Sequence, residues 1–86
     1  RLVGAEMCIR DSYNLGYIYG ALNNYEQSIY FYNKAVQQNF DLEATLVNLA
    51  LQEIKANKKA SACAHLEEAY QLGRTDIKPL MNKYCK

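Results

Sequence analysis

The chain has 86 residues, a net charge of +1 with no basic run, half of its residues hydrophobic, eight Tyr, four Gly, one Pro and no Trp. That length gives one small domain burying only roughly 60–65% of its unfolded surface, and the scarcity of Gly and Pro favours helix over a turn-rich β fold. The charge balance argues against nucleic-acid binding through phosphate neutralisation, and no apolar stretch approaches the roughly 20 residues of a membrane span.

Arg1–Ser12 has no clear apolar period, whereas a regular amphipathic pattern begins at Tyr13. Met7, Cys8, Ile9, Arg10, Asp11 and Ser12 back-translate to ATGTGTATAAGAGACAG, which resembles the mosaic-end sequence of transposon-based DNA library preparation. Leu2, Val3, Gly4, Ala5 and Glu6 resemble the adapter tail GTCTCGTGGGCTCGGAG read in the same frame, departing at Ala5, where the tail encodes Ser. Arg1–Ser12 therefore reads as a translated sequencing scar, set aside from fold reasoning; the other reading is a genuine N-terminal segment. On the scar reading the native N-terminal part, any signal peptide included, is missing. The three cysteines then reduce to the pair Cys63 and Cys85 once Cys8 is removed.

From Tyr13 the elements follow in order. A first helix is expected over about Tyr13 to Leu22, with Leu15, Ile18, Tyr19 and Leu22 on one stripe, and Asn23-Asn24 as the turn. A second runs from about Tyr25 to Gln38, with Tyr25, Ser28, Ile29, Tyr32, Ala35 and Val36 at spacings of three and four. A third, Leu42 to Ala56, carries Leu46, Leu49, Ala50 and Ile54; Asn57-Lys58 is its turn. A fourth, Lys59 to Leu72, carries Ala62, Cys63, Leu66, Ala69 and Tyr70, and Gly73 stands where a helix end wants a left-handed residue. Arg74-Thr75-Asp76 then signals a new start, with Pro79 in its first turn. Ile77, Leu80, Met81, Tyr84 and Cys85 share one face of this last helix; Lys78, Asn82, Lys83 and Lys86 share the other.

The chain matches itself at an offset of 34 residues. Asn14 falls on Asn48, Leu15 on Leu49, Gly16 on Ala50, Tyr17 on Leu51, Ser28 on Ala62, Tyr32 on Leu66 and Ala35 on Ala69. Small residues meet small ones and large apolar residues meet large ones. Gly16 and Ala50 let the second helix of each unit approach the first, Ser28 and Ala62 do so from the other side, and Tyr32 and Leu66 fill the gap.

This pattern resembles the tetratricopeptide repeat, whose signature is W-x2-L-G-x2-Y, A-x3-F and P at a period of 34. Leu15, Gly16 and Tyr19 fill the first part; Ser28 and Tyr32 stand for the A and F; Phe40 replaces the Pro, and Ser12 occupies the Trp position. The second unit departs further, with Ala50 for Gly and Glu53 for Tyr. A Sel1-like repeat is the near relative, with a usually longer period. The resemblance covers roughly Tyr13 to Gly73. It implies an all-α, antiparallel helix-hairpin solenoid: two units, about 13–41 and 42–75, and a capping helix over 76–86. The ending also resembles that of bacterial tetratricopeptide proteins, with a Cys in the last repeat helix and a Tyr-Cys near the end, so Lys86 is expected close to the natural terminus.

The last two helices form a hairpin about Gly73. Cys63 lies ten residues before that glycine and Cys85 twelve after it, so with a short turn the two stand at nearly the same height and on facing apolar stripes. Helix axes roughly 8–10 Å apart allow inward-pointing residues to reach disulfide geometry. A bridge implies an oxidising, periplasmic or extracytoplasmic compartment; the alternative is two buried free thiols in a cytoplasmic protein.

No catalytic, cofactor-binding or metal-binding motif is present, so this segment is not expected to be an enzyme. His65, the lone histidine, is expected on a solvated face beside Glu67 and Glu68, since a metal site needs several converging ligands. In the family the first helices of successive units line a concave groove. The resemblance places Tyr13, Asn14, Tyr17, Gly20 and Ala21 there from one unit and Val47, Asn48, Leu51, Ile54 and Lys55 from the other. Such a groove suits a peptide or partner segment with hydrophobic anchors. It does not match the carboxylate clamp of chaperone-binding members, for which only Asn48 fits. The alternatives are side chains that simply pack on one another, a spacer role in an extracytoplasmic lipoprotein or envelope complex, and the repeat end of a larger enzyme. The truncated face with Tyr13, Tyr17 and Ile18 is expected to self-associate.

Overall fold

The structure, a computed structural model, describes residues 4–85, with side chains from Asp11 onward; Arg1, Leu2 and Val3 of the expected scar, and Lys86, lie outside the described residues. Five α-helices follow one another: α1 (Gly4–Ala21), α2 (Tyr25–Gln37), α3 (Leu42–Lys55), α4 (Lys59–Gln71) and, after a 3-10 turn at Thr75–Ile77, α5 (Lys78–Tyr84). Each helix packs on the next, so the chain is an all-α stack of helical hairpins, 47 Å along its longest axis and 16 Å along its shortest.

The helices stop where they do for one repeated reason. Asn23 (φ 63°) and Asn57 (φ 65°) lie one repeat apart in the left-handed region, as do Asn39 (φ 57°) and Gly73 (φ 113°). Glycine and asparagine tolerate that conformation best. Each reverses the chain so that the following amide donates back five residues: Asn24 to the Tyr19 carbonyl, Phe40 to Ala35, Lys58 to Glu53 and Arg74 to Ala69, at 2.7–3.1 Å. The left-handed residue itself donates to the carbonyl three residues earlier, so helix-end carbonyls are satisfied in all four turns by the same pair of bonds.

Packing repeats as well, with different residues filling equivalent space. In the first hairpin a β-carbon on Gly16 would lie 2.7 Å from Cδ1 of Tyr32, and the Ser28 hydroxyl donates to the Gly16 carbonyl at 2.6 Å. In the second, Ala50, Ala62 and Leu66 fill the equivalent places and are fully buried; leucine leaves room for the methyl that the tyrosine ring excludes. The core is two joined clusters. Ile29, Tyr32 and Leu49 form one, with Tyr13, Val36 and Ala56 against it. Leu46, Val47, Ala50, Ala62, Leu66, Ala69 and Ile77 form the other.

Three details depart from the sequence reading. The helix expected from Tyr13 begins at Gly4, and Ser12 is buried at the place Leu46 takes one repeat later. A helix needs only continued backbone bonding, not a continued apolar period, so the change of pattern at Tyr13 leaves no break in the backbone. The cap expected over 76–86 opens as a 3-10 turn, and its α-helix is seven residues long. His65 does not stand free among surface carboxylates: its Nδ1 lies 2.7 Å from Oε1 of Glu53, which is 4% exposed. One repeat earlier the same two positions hold Tyr19 and Phe31, whose rings stack at 5.6 Å. A polar pair has replaced an aromatic pair at equivalent positions, and the imidazole satisfies a carboxylate that would otherwise be buried alone.

Candidate functional site

Two first helices, α1 and α3, come side by side and leave a cleft of about 240 Å³ lined by Tyr17, Gly20, Ala21, Tyr32, Asn48, Gln52 and Lys55. Asn48, Gln52 and Lys55 share one face of α3, at spacings of four and three. Tyr17, Gly20 and Ala21 do the same on α1. The wall is tightest at Gly20, where a β-carbon would lie 3.0 Å from the Gln52 amide nitrogen; the missing side chain lets the two helices close over that amide.

The expected groove residues divide. Tyr17, Gly20, Ala21, Asn48 and Lys55 line the cleft, and Tyr17 is 65% exposed at its mouth. Tyr13 lies behind it, half-buried, its ring 5.6 Å from Tyr32 and 5.4 Å from Phe40. Its hydroxyl accepts a bond of 2.8 Å from the Asn48 side-chain nitrogen, so Tyr13 orients Asn48 instead of facing a ligand. Asn14 is exposed outside the cleft lining. Val47 is buried in the second core cluster and Leu51 packs against it, as Ile54 does. With those apolar side chains turned inward, the cleft is more polar than the sequence reading expects.

Tyr32 and Gln52 belong to the cleft and were not among the expected residues. Gln52 was legible as the residue one turn beyond Asn48. Tyr32 was legible only as a gap filler. Burial pushes its phenol up to about 12, with Tyr13 and Tyr17 adding like-charge repulsion against ionisation; it stays protonated at any physiological pH. Oε1 of Gln52 is, among the described residues, a buried side-chain oxygen with no hydrogen-bond partner. Lys55, exposed at one end, places its ammonium 5.9 Å from the Tyr25 ring centroid. The site thus offers an acceptor without a donor, an aromatic lip and a cation.

A second feature lies at the other end of the stack. Cys63 of α4 and Cys85, just after α5, form a disulfide with Cα atoms 5.6 Å apart. A cavity of about 290 Å³ opens beside it, lined by Lys59, Ala60, Cys63, Tyr84 and Cys85. Among the described residues, no cluster of three or more His, Cys, Asp or Glu is placed to hold a metal ion, and no helix is long and apolar enough to cross a membrane. Comparison with known proteins finds no matching family model, no similar curated protein and no similar solved structure.

Proposed function

We propose that this chain is a protein-interaction module that holds an extended peptide segment across the cleft between α1 and α3. The orphaned Gln52 carbonyl carries the reading, because a buried acceptor without a donor costs about 1–3 kcal/mol that an incoming N–H recovers. Gln52 stands in the cleft lining beside Tyr17, Asn48 and Lys55, so a peptide laid across the cleft brings its amides to that side chain. Tyr17 packs on the peptide from the lip, and Lys55 attracts a carboxylate. At about 240 Å³ the cleft takes one residue of such a segment, not a drug-sized cofactor. The 34-residue repeat and its tetratricopeptide resemblance support the same reading.

The test is a screen of the chain against a random-sequence peptide library, followed by titration of the selected peptide. Tyr17→Ala and Lys55→Ala are expected to weaken it by about 1–2 kcal/mol each. Gly20→Ala, which pushes on the Gln52 amide, is expected to weaken it too. Unchanged affinity in the folded Tyr17→Ala/Lys55→Ala variant removes the cleft as the site. A second reading, a spacer in an extracytoplasmic lipoprotein or envelope complex, draws support from the Cys63–Cys85 bridge, since such bridges persist in oxidising compartments.

A further inference from the structure

We propose that the Cys63–Cys85 bridge is a thiol–disulfide exchange site for a small thiol that carries a carboxylate, with Cys85 as the sulfur attacked and Cys63 as the sulfur that leaves. The site is the open cavity of about 290 Å³ at the far end of the stack, lined among the described residues by Lys59, Ala60, Cys63, Tyr84 and Cys85. Both halves of the bridge belong to its wall, and both cysteines are half-buried instead of sealed in the core. Its volume is near the lower bound of small-molecule sites, roughly 300 Å³, which suits a thiol of a few heavy atoms and not a protein chain. The charge in the wall is positive. Lys59 opens α4 and stands four residues before Cys63, so the two side chains share one face of the helix. Among the described residues no carboxylate lines the cavity, so an acidic thiol meets attraction there without a competing repulsion.

The two sulfurs are not equivalent. Cys63 sits inside α4, whereas Cys85 follows the last residue of α5, where the helix has ended and a group added to the sulfur is accommodated. The Cys63 sulfur lies 3.6 Å from the Tyr84 carbonyl oxygen, which accepts the S–H bond once that sulfur is released. The incoming thiol loses its proton to solvent and attacks Cys85 as the thiolate. A new S–S bond forms to Cys85, the Cys63–Cys85 bond breaks, and its electron pair leaves on Cys63, which takes up a proton from solvent. The cap stays docked through this step. Ile77 is 5% exposed, and Leu80 and Met81 pack with it on the second cluster, so apolar contacts keep Cys85 facing Cys63. The released Cys63 therefore stays within reach of the mixed disulfide and re-forms the bridge when the small thiol is withdrawn. The bridge is a reversible attachment point on a fold that persists when it opens.

The experiment takes the full chain with Cys8→Ser, which removes the remaining thiol. The oxidised protein is mixed with mercaptoacetate, mercaptoethanol or cysteamine at equal thiolate concentration, quenched in acid at early times and mapped by mass spectrometry. A mixed disulfide should appear on Cys85 with Cys63 free. Exchange with mercaptoacetate should be faster than with cysteamine by roughly two- to fivefold, the effect of one exposed ion pair, with mercaptoethanol between them. Lys59→Gln should remove that order, and circular dichroism should show the helicity retained throughout. An adduct on Cys63 overturns the assignment of the two sulfurs. Equal rates for the three thiols, or an order unchanged in Lys59→Gln, overturn the carboxylate-bearing ligand. A bridge that reacts only in urea, at the rate of global unfolding, overturns the site itself, because it is then closed to solvent in the folded chain.

Discussion

Replacing Gly16 by alanine sets two effects against each other. Gly16 sits inside α1, and alanine there gains about 1 kcal/mol of helix propensity. Against that, the new methyl would stand 2.7 Å from Cδ1 and 2.9 Å from Cγ and Cε1 of Tyr32, about 1 Å inside the separation that carbon atoms prefer. The ring is hemmed in on the side away from the cleft: Tyr32 is 2% exposed and braced by the edge of Tyr13. The Ser28 bond to the Gly16 carbonyl ties α2 to the same turn. Overpacking of this kind costs about 1–3 kcal/mol, and three close contacts with one hemmed-in ring put it at the upper end. The net expectation is a loss of about 1–2 kcal/mol, a fall in melting temperature of roughly 5–15 °C for a domain of this size. The second hairpin supplies the control, because it already carries Ala50 against Leu66. Tyr32→Leu alone should destabilise, and Gly16→Ala/Tyr32→Leu should be more stable than the sum of the two by at least about 1 kcal/mol. Urea unfolding of the four proteins, followed by far-UV circular dichroism, measures the cycle. A Gly16→Ala variant as stable as the parent, or strictly additive changes, refutes the close-approach argument.

Further outcomes follow from other contacts. The Tyr32 phenol is raised from 10.0 to about 12 in the folded chain, so its contribution is complete below about pH 10 and is lost as pH rises toward 12. That loss, roughly 2–3 kcal/mol, should be visible in urea melts across this window and absent in Tyr32→Phe. His65→Ala leaves the Glu53 carboxylate buried without its partner and should cost about 1–3 kcal/mol. Glu53→Tyr/His65→Phe, which copies the Tyr19–Phe31 stack, should recover most of it in thermal melts. At Asn57, with φ 65°, Asn57→Gly should hold or raise the melting temperature, whereas Asn57→Ala should lower stability by about 1 kcal/mol.

The sequence by itself determined the parts of this protein that depend on neighbours along the chain. The apolar spacing of three and four placed α2, α3 and α4 to within a residue, and Asn23, Asn57 and Gly73 marked the reversals, because turn conformation is a property of a few consecutive residues. The 34-residue offset paired Gly16 with Ala50 and Tyr32 with Leu66, a packing rule legible from size alone. The tertiary structure decided which way each residue on a crowded helix faces. Helix α3 is covered on two sides, with Leu49 in one cluster and Leu46, Val47 and Ala50 in the other. Periodicity rotates about 100° per residue and cannot tell two adjacent buried faces from a groove between them. Val47 and Leu51 therefore read as groove residues but turn to the core, while Gln52 turns to the cleft. The same limit hid Glu53 and His65, twelve residues apart and each polar on its own, until the hairpin brought them to 2.7 Å. It also left the cysteines with two readings, bridged or free; the fold around Gly73 set their Cα atoms 5.6 Å apart, a distance that no pattern within one helix can specify.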